Sequence, residues 1–121
     1  MKSIDISQQY WKEKTDYLFG MMFCVAALYH FLGIFFKINE ASVLRHATFV
    51  VIDLYCFYGF LYRHSLFTLF FSGLTAHQLF THGIYLFTLW SLEQEIHWIS
   101  LAVLILMPIG MAKLVVEYFT D

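Results

Sequence analysis

HSLFTLFFSGLTAHQLFTHGIYLFTLWSL, residues 64–92, runs for 29 residues without an aspartate, glutamate, lysine or arginine. About 20 apolar residues are enough to cross a bilayer, so this stretch reads as a membrane span. As one straight helix it would be ~43 Å long, more than the hydrocarbon core, which predicts tilt, a protruding end or a break near Gly73 or Gly83. Its centre carries His77, Gln78 and His82. Polar groups at that depth are costly and mark either a functional path or interhelical hydrogen bonds. On a helical wheel Thr68, Ser72, Thr75, Gln78, His82 and Tyr85 make one polar stripe, and His77, Thr81 and Thr88 a second. A helix polar on two flanks belongs at the centre of a bundle or oligomer.

The rest of the chain agrees with that setting. Of its 121 residues, 60% are hydrophobic, 21% aromatic and only 13% charged. Soluble domains carry about twice that charged fraction. The near-neutral balance, −2, gives no reason to expect a nucleic-acid partner. Cys24 and Cys56 both fall in apolar runs, where they read as small packing residues rather than a disulfide. The polar first sixteen residues do not resemble a cleavable leader. There is no internal repeat or linker, which predicts a single transmembrane domain over residues 1–121.

Three further spans flank the first. Residues 17–36 are uncharged between Asp16 and Lys37, with Ala26, Ala27 and Gly33 at helical spacing around His30. Small residues let membrane helices approach closely, so His30 is expected to face another helix. Residues 43–62 follow the turn KINEAS and are interrupted by Asp53. An aspartate facing lipid at mid-bilayer costs roughly 2.5–3.5 kcal/mol, so Asp53 must be neutralised, paired or hydrated. His46 lies seven residues before it, on the same helical face. Arg63 and His64 make a tight turn into the span at 65–91. The acidic loop Glu93-Gln94-Glu95 leads to a last span at 96–116, which Pro108 should kink and in which Lys113 can snorkel outward. Before the first span, residues 1–16 read as a short interfacial helix with Tyr10 and Trp11 at headgroup level.

The expected fold is therefore all-α: a polytopic membrane protein, an antiparallel bundle of four transmembrane helices with a short interfacial N-terminal helix. Lys2, Lys12, Lys14, Arg63 and Lys113 fall on one side, Lys37 and Arg45 on the other. The excess predicts cytoplasmic termini, in a setting such as a bacterial inner membrane. Equal rise per residue puts His30, Asp53, His77 and His82 within ~8 Å of the midplane. His46, His97, Glu93 and Glu95 lie above them as an outer mouth.

Three chemistries suit that column. Asp53 with His30, His77, His82 and Gln78 can hold or relay a proton or ion, because histidine titrates near neutrality and an intramembrane carboxylate can bind and release a proton. His30, Asp53 and His82 could ligate a divalent metal. His30 and His82, on different helices at similar depth, could hold a b-type haem in a redox subunit, with Arg45 near a propionate. His77 and His82 are five apart and do not make a local metal motif. With no nucleophile turn, phosphate loop or CxxC pair, the chain does not read as an enzyme. Size and span number are similar to those of the small multidrug-resistance exporters, which carry a glutamate in the first span; here that span has His30 and no acid, and no family is assigned. The leading expectation is an oligomeric transport, proton- or ion-conducting or pore-type component, working as a homo-oligomer or with partner membrane subunits. The alternatives are a haem- or metal-binding subunit and a structural or regulatory subunit whose polar groups join helices.

Overall fold

The computed structural model describes residues 6–36, 41–62 and 65–120, with side chains from residue 12 onward. The expected turns at Lys37–Glu40 and Arg63–His64, and the side chains of Tyr10 and Trp11, lie outside the described residues. The protein is all-helical, with α1 at Ile6–Phe36, α2 at Val43–Leu61, α3 at Ser65–Glu93 and α4 at Trp98–Thr120. Among the described residues, three stretches are long and apolar enough to cross a membrane: Lys12–Phe36, Val43–Leu61 and Trp98–Thr120. α3 matches them in length, but its serines, threonines, histidines and glutamine keep it below them in hydropathy.

The helix expected before the first span leads directly into it: α1 runs unbroken from Ile6 to Phe36. No glycine or proline interrupts residues 6–19, so nothing breaks the backbone ladder there. α4 is helical on both sides of Pro108. α2 begins at a side-chain cap. Ser42 Oγ accepts the Arg45 N–H at 3.2 Å and its carbonyl accepts the His46 N–H at 3.1 Å, satisfying first-turn donors that the helix itself leaves open. α3 ends with Gln94 at φ 57°, its amide bonded to the Trp90 carbonyl at 3.0 Å. That is a left-handed helix stop, usually made by glycine.

The helices group into two units, α1 with α2 and α3 with α4. In the first, positions rising along α1 meet positions falling along α2, so the pair is antiparallel. Phe19 and Phe23 stack on Phe60 at 5.2 and 5.8 Å between ring centres. Gly20 lies against Phe57 and Leu61, His30 against Phe49 and His46, and Gly33 against His46. The buried face of α2 is His46, Asp53, Cys56, Gly59 and Phe60, at helical spacing. In the second unit His82 meets Ser100, Gly83 meets Leu104 and Ser72 meets Met111, again antiparallel.

Outward faces on all four helices are apolar. Phe36, Leu44, Phe87, Leu92 and Phe119 are each more than 70% exposed. Water does not favour so much exposed hydrocarbon, whereas lipid or a partner helix accepts it. Hydroxyls within the helices are satisfied locally: Thr48, Ser72, Thr81 and Thr120 each donate to the carbonyl four residues earlier. Lys113 pairs with Glu117 one turn on, both side chains mostly buried, so its charge is neutralised within α4.

Candidate functional site

The α1–α2 pair gathers three of the titratable side chains picked out from sequence. Spacing of seven along α2 puts His46 and Asp53 on its inner face, two turns apart. Across from them, His30 projects from α1 into the interval. Its Nδ1 is 3.0 Å from Nδ1 of His46, and its Nε2 is 3.9 Å from Oδ2 of Asp53. The three groups form a row, His46–His30–Asp53, with His30 in the middle and its ring stacked on Phe49 at 5.2 Å.

The small residues around His30 are what permit this. Ala27 and Gly33 are buried. At Gly33 the approach is so close that a β-carbon would lie 2.6 Å from Cε1 of His46. His46 is 1% exposed and Asp53 5% exposed. The structure buries His46, expected at an outer mouth, against Gly33 and bonds it to His30. The guanidinium of Arg45, its neighbour on α2, lies 5.8 Å from the centre of the Phe49 ring.

Two atoms of the row make no hydrogen bond. Nε2 of His46 and Oδ2 of Asp53 are buried without a hydrogen-bond partner among the described residues. Leaving a buried polar atom unpaired costs about 1–3 kcal/mol, so two at one cluster are an unusual concentration. The contact between His30 and His46 also constrains protons. Two ring nitrogens 3.0 Å apart hold one hydrogen between them: one donates and the other accepts. With His30 as donor through Nδ1, protonation of its Nε2 would direct an N–H at the carboxylate of Asp53. The 3.9 Å there is too long for a hydrogen bond, and an approach of about 1 Å would make one.

The α3–α4 pair places the other residues. His82 Nδ1 is 2.8 Å from Oγ of Ser100, and Nδ1 of His97 is 2.8 Å from the same oxygen. Ser100 is fully buried. Nothing in composition or motif singled it out; the one available signal is its place three residues after His97 at a helix start. Gln78 and Thr75 are buried on α3, and Oγ1 of Thr75 has no partner among the described residues. His77 is exposed, as are Glu93 and Glu95 at the α3 terminus. The first polar stripe of α3 thus turns inward at Thr75 and Gln78, and the second outward at His77 and Thr88.

Among the described residues, no three histidines, cysteines or acids come together as a metal-holding group. Cys24 and Cys56 are free thiols, Cys56 buried one turn from Asp53. Comparison with protein-family models, with curated proteins and with solved structures gives no match to this chain.

Proposed function

We propose that the chain is a four-span integral membrane protein that moves protons, with Asp53, His30 and His46 as the site that holds them. The observation that carries this reading is the buried row His46–His30–Asp53, in which Nε2 of His46 and Oδ2 of Asp53 lack hydrogen-bond partners among the described residues. A structural cluster at this depth would be expected to close its hydrogen bonds. A cluster that accepts and releases a proton needs vacant positions: Nε2 of His46 supplies one at the end of the row, and Oδ2 of Asp53, facing His30 across 3.9 Å, supplies the other. His30 is the exchanging group: its imidazole can take a proton on one nitrogen and give one from the other. Small movements of α1 against α2 open or close the 3.9 Å step to Asp53.

α3 serves as the fourth span in this reading. Its buried Thr75 and Gln78 suit a helix packed against protein, and the exposed apolar faces elsewhere suit lipid and further subunits. Assembly as a homo-oligomer, or with partner membrane subunits, would cover His77 and Thr88. The termini lie on the cytoplasmic side of a membrane such as the bacterial inner membrane, following the excess of lysine and arginine there. A haem held by His30 and His82 has weaker support, because both ring nitrogens of His30 already face protein partners.

The test is reconstitution into liposomes carrying a trapped pH-sensitive dye, with a potassium gradient and valinomycin to drive protons. Wild-type protein should collapse the gradient and Asp53→Asn should not. Equal rates for the two, in vesicles containing equal amounts of protein, would refute the reading.

A further inference from the structure

The second unit holds a cluster that the row on α1 and α2 does not use. We infer that Ser100 joins His82 and His97 into a proton wire with a fixed polarity, carrying protons from His82 on α3 to His97 at the start of α4. This rests on the proton-transport reading above.

The polarity follows from the backbone. His97 is the capping residue of α4: its carbonyl accepts the Leu101 N–H at 3.1 Å, and its ring Nδ1 accepts the Ser100 N–H at 3.2 Å. A backbone N–H can only donate, so Nδ1 of His97 carries a lone pair and its proton is on Nε2. Oγ of Ser100 is 2.8 Å from that same lone pair, so the hydroxyl donates to His97. The hydroxyl has one hydrogen, now used. His82 Nδ1, also 2.8 Å from Oγ, must therefore be the donor on its side. The resting order is His82 Nδ1–H to Ser100 Oγ–H to His97 Nδ1. Every other order either faces two lone pairs at 2.8 Å or sets a His97 Nδ1–H against the Ser100 N–H at 3.2 Å.

That order makes Nε2 the basic nitrogen of His82. A proton added there makes an imidazolium. Its Nδ1–H passes to Oγ as the hydroxyl proton passes to Nδ1 of His97, and His97 sheds its Nε2 proton. One proton enters at His82, one leaves at His97, and Ser100 ends with one hydrogen as it began. The transferred state sets a new His97 Nδ1–H against the Ser100 N–H. It is therefore the higher state, and the first returns when each ring exchanges its proton between its own nitrogens through water: His82 gives up Nε2–H and takes a proton at Nδ1, and His97 gives up Nδ1–H and takes one at Nε2. His97 is only partly buried and the exposed Glu93 and Glu95 precede it, so the wire leads toward the α3–α4 connection. Ser100 itself is 0% exposed, which keeps water from short-circuiting the middle of the wire.

The experiment combines nitrogen-15 NMR of histidine-labelled protein in bilayers with the liposome assay. Wild type should show His82 protonated at Nδ1 and His97 at Nε2, opposite tautomers in one protein. Ser100→Ala should abolish that opposition and slow proton flux by about ten-fold, bridging water restoring part of it, while Ser100→Thr keeps the hydroxyl and most of the flux. Finding His82 protonated at Nε2 in the wild type overturns the wire, without recourse to any variant. So does Ser100→Ala flux equal to wild type. A wild type that conducts no protons removes the transport reading and the wire together. Flux abolished by Asp53→Asn but untouched by Ser100→Ala removes the wire alone.

Discussion

The ring of His46 occupies the space that a side chain at Gly33 would fill. A β-carbon there would sit 2.6–2.8 Å from three atoms of the imidazole. The absence of a side chain on α1 and the position of a titratable ring on α2 are thus one structural fact. Gly33→Ala should displace His46, break its bond to His30 and loosen the α1–α2 pair by about 1–3 kcal/mol, the usual range for overpacking. Gly73, on an exposed face of α3 with nothing within 4 Å, is the control. Gly73→Ala should be neutral or stabilise by up to about 1 kcal/mol through helix propensity. Unfolding of both variants in mixed micelles by SDS titration checks the pair of outcomes.

Asp53 should separate stability from transport. Its carboxyl is buried, with Oδ2 3.9 Å from Nε2 of His30 and making no hydrogen bond among the described residues. Replacing a buried, poorly compensated ionisable group with an apolar one of similar size is often neutral or stabilising. Asp53→Leu should therefore hold or raise the unfolding midpoint in SDS while abolishing proton flux. A variant that loses both would place Asp53 among the groups that hold the helices together.

Phe60 is 1% exposed and stacks on both Phe19 and Phe23. In a soluble core, truncating such a residue costs about 3–5 kcal/mol. Within lipid the transfer part of that cost is largely absent, since acyl chains are as apolar as the core, leaving about 1–3 kcal/mol of lost packing. Phe60→Ala should show this in the same micelle assay, and Phe87→Ala, at a side chain 72% exposed, should show none of it.

The two thiols should react at different rates. Cys56 is fully buried on the inner face of α2, whereas Cys24 is half-buried on α1. In detergent, a membrane-permeant maleimide should modify Cys24 well before Cys56. Mass spectrometry of partially labelled protein gives the order, and Cys56 labelling first would contradict the packing of α2 on α1.

Much of this was legible in the residues. Uncharged runs ending at Asp16, Lys37, Arg63 and Glu93 marked four helices, because a helix of about 20 apolar residues leaves little else for such a run to be. Ala27 and Gly33 flagged the face of α1 that meets α2, and the spacing of His46 and Asp53 flagged the matching face of α2. The join between them was not legible: that His46 lies beside His30 depends on the register of two antiparallel helices, which periodicity along each one leaves unset. Ser100 was missed because a serine near a helix start is commonplace, and its importance comes from a ring on another helix. Gln94 gave no warning either, since glutamine is an uncommon choice for a left-handed stop. Pro108 removes one backbone bond, and the rest of the ladder carries α4 through it as a helix.

The modest apolarity of α3 bears on how the chain is made. A segment with serine, threonine, glutamine and two histidines along its length partitions poorly into hydrocarbon by itself. Its His82 and Ser72 find their partners on α4, which is synthesised after it. In the four-span reading proposed above, α3 waits at the translocon or at the membrane surface until α4 emerges, and the two then enter as a hairpin. In a chain truncated just after Glu93, a cysteine introduced into α3 should react with a membrane-impermeant maleimide, while in the full chain it should be protected. In that reading the insertion of α3 is committed only when α4 is complete.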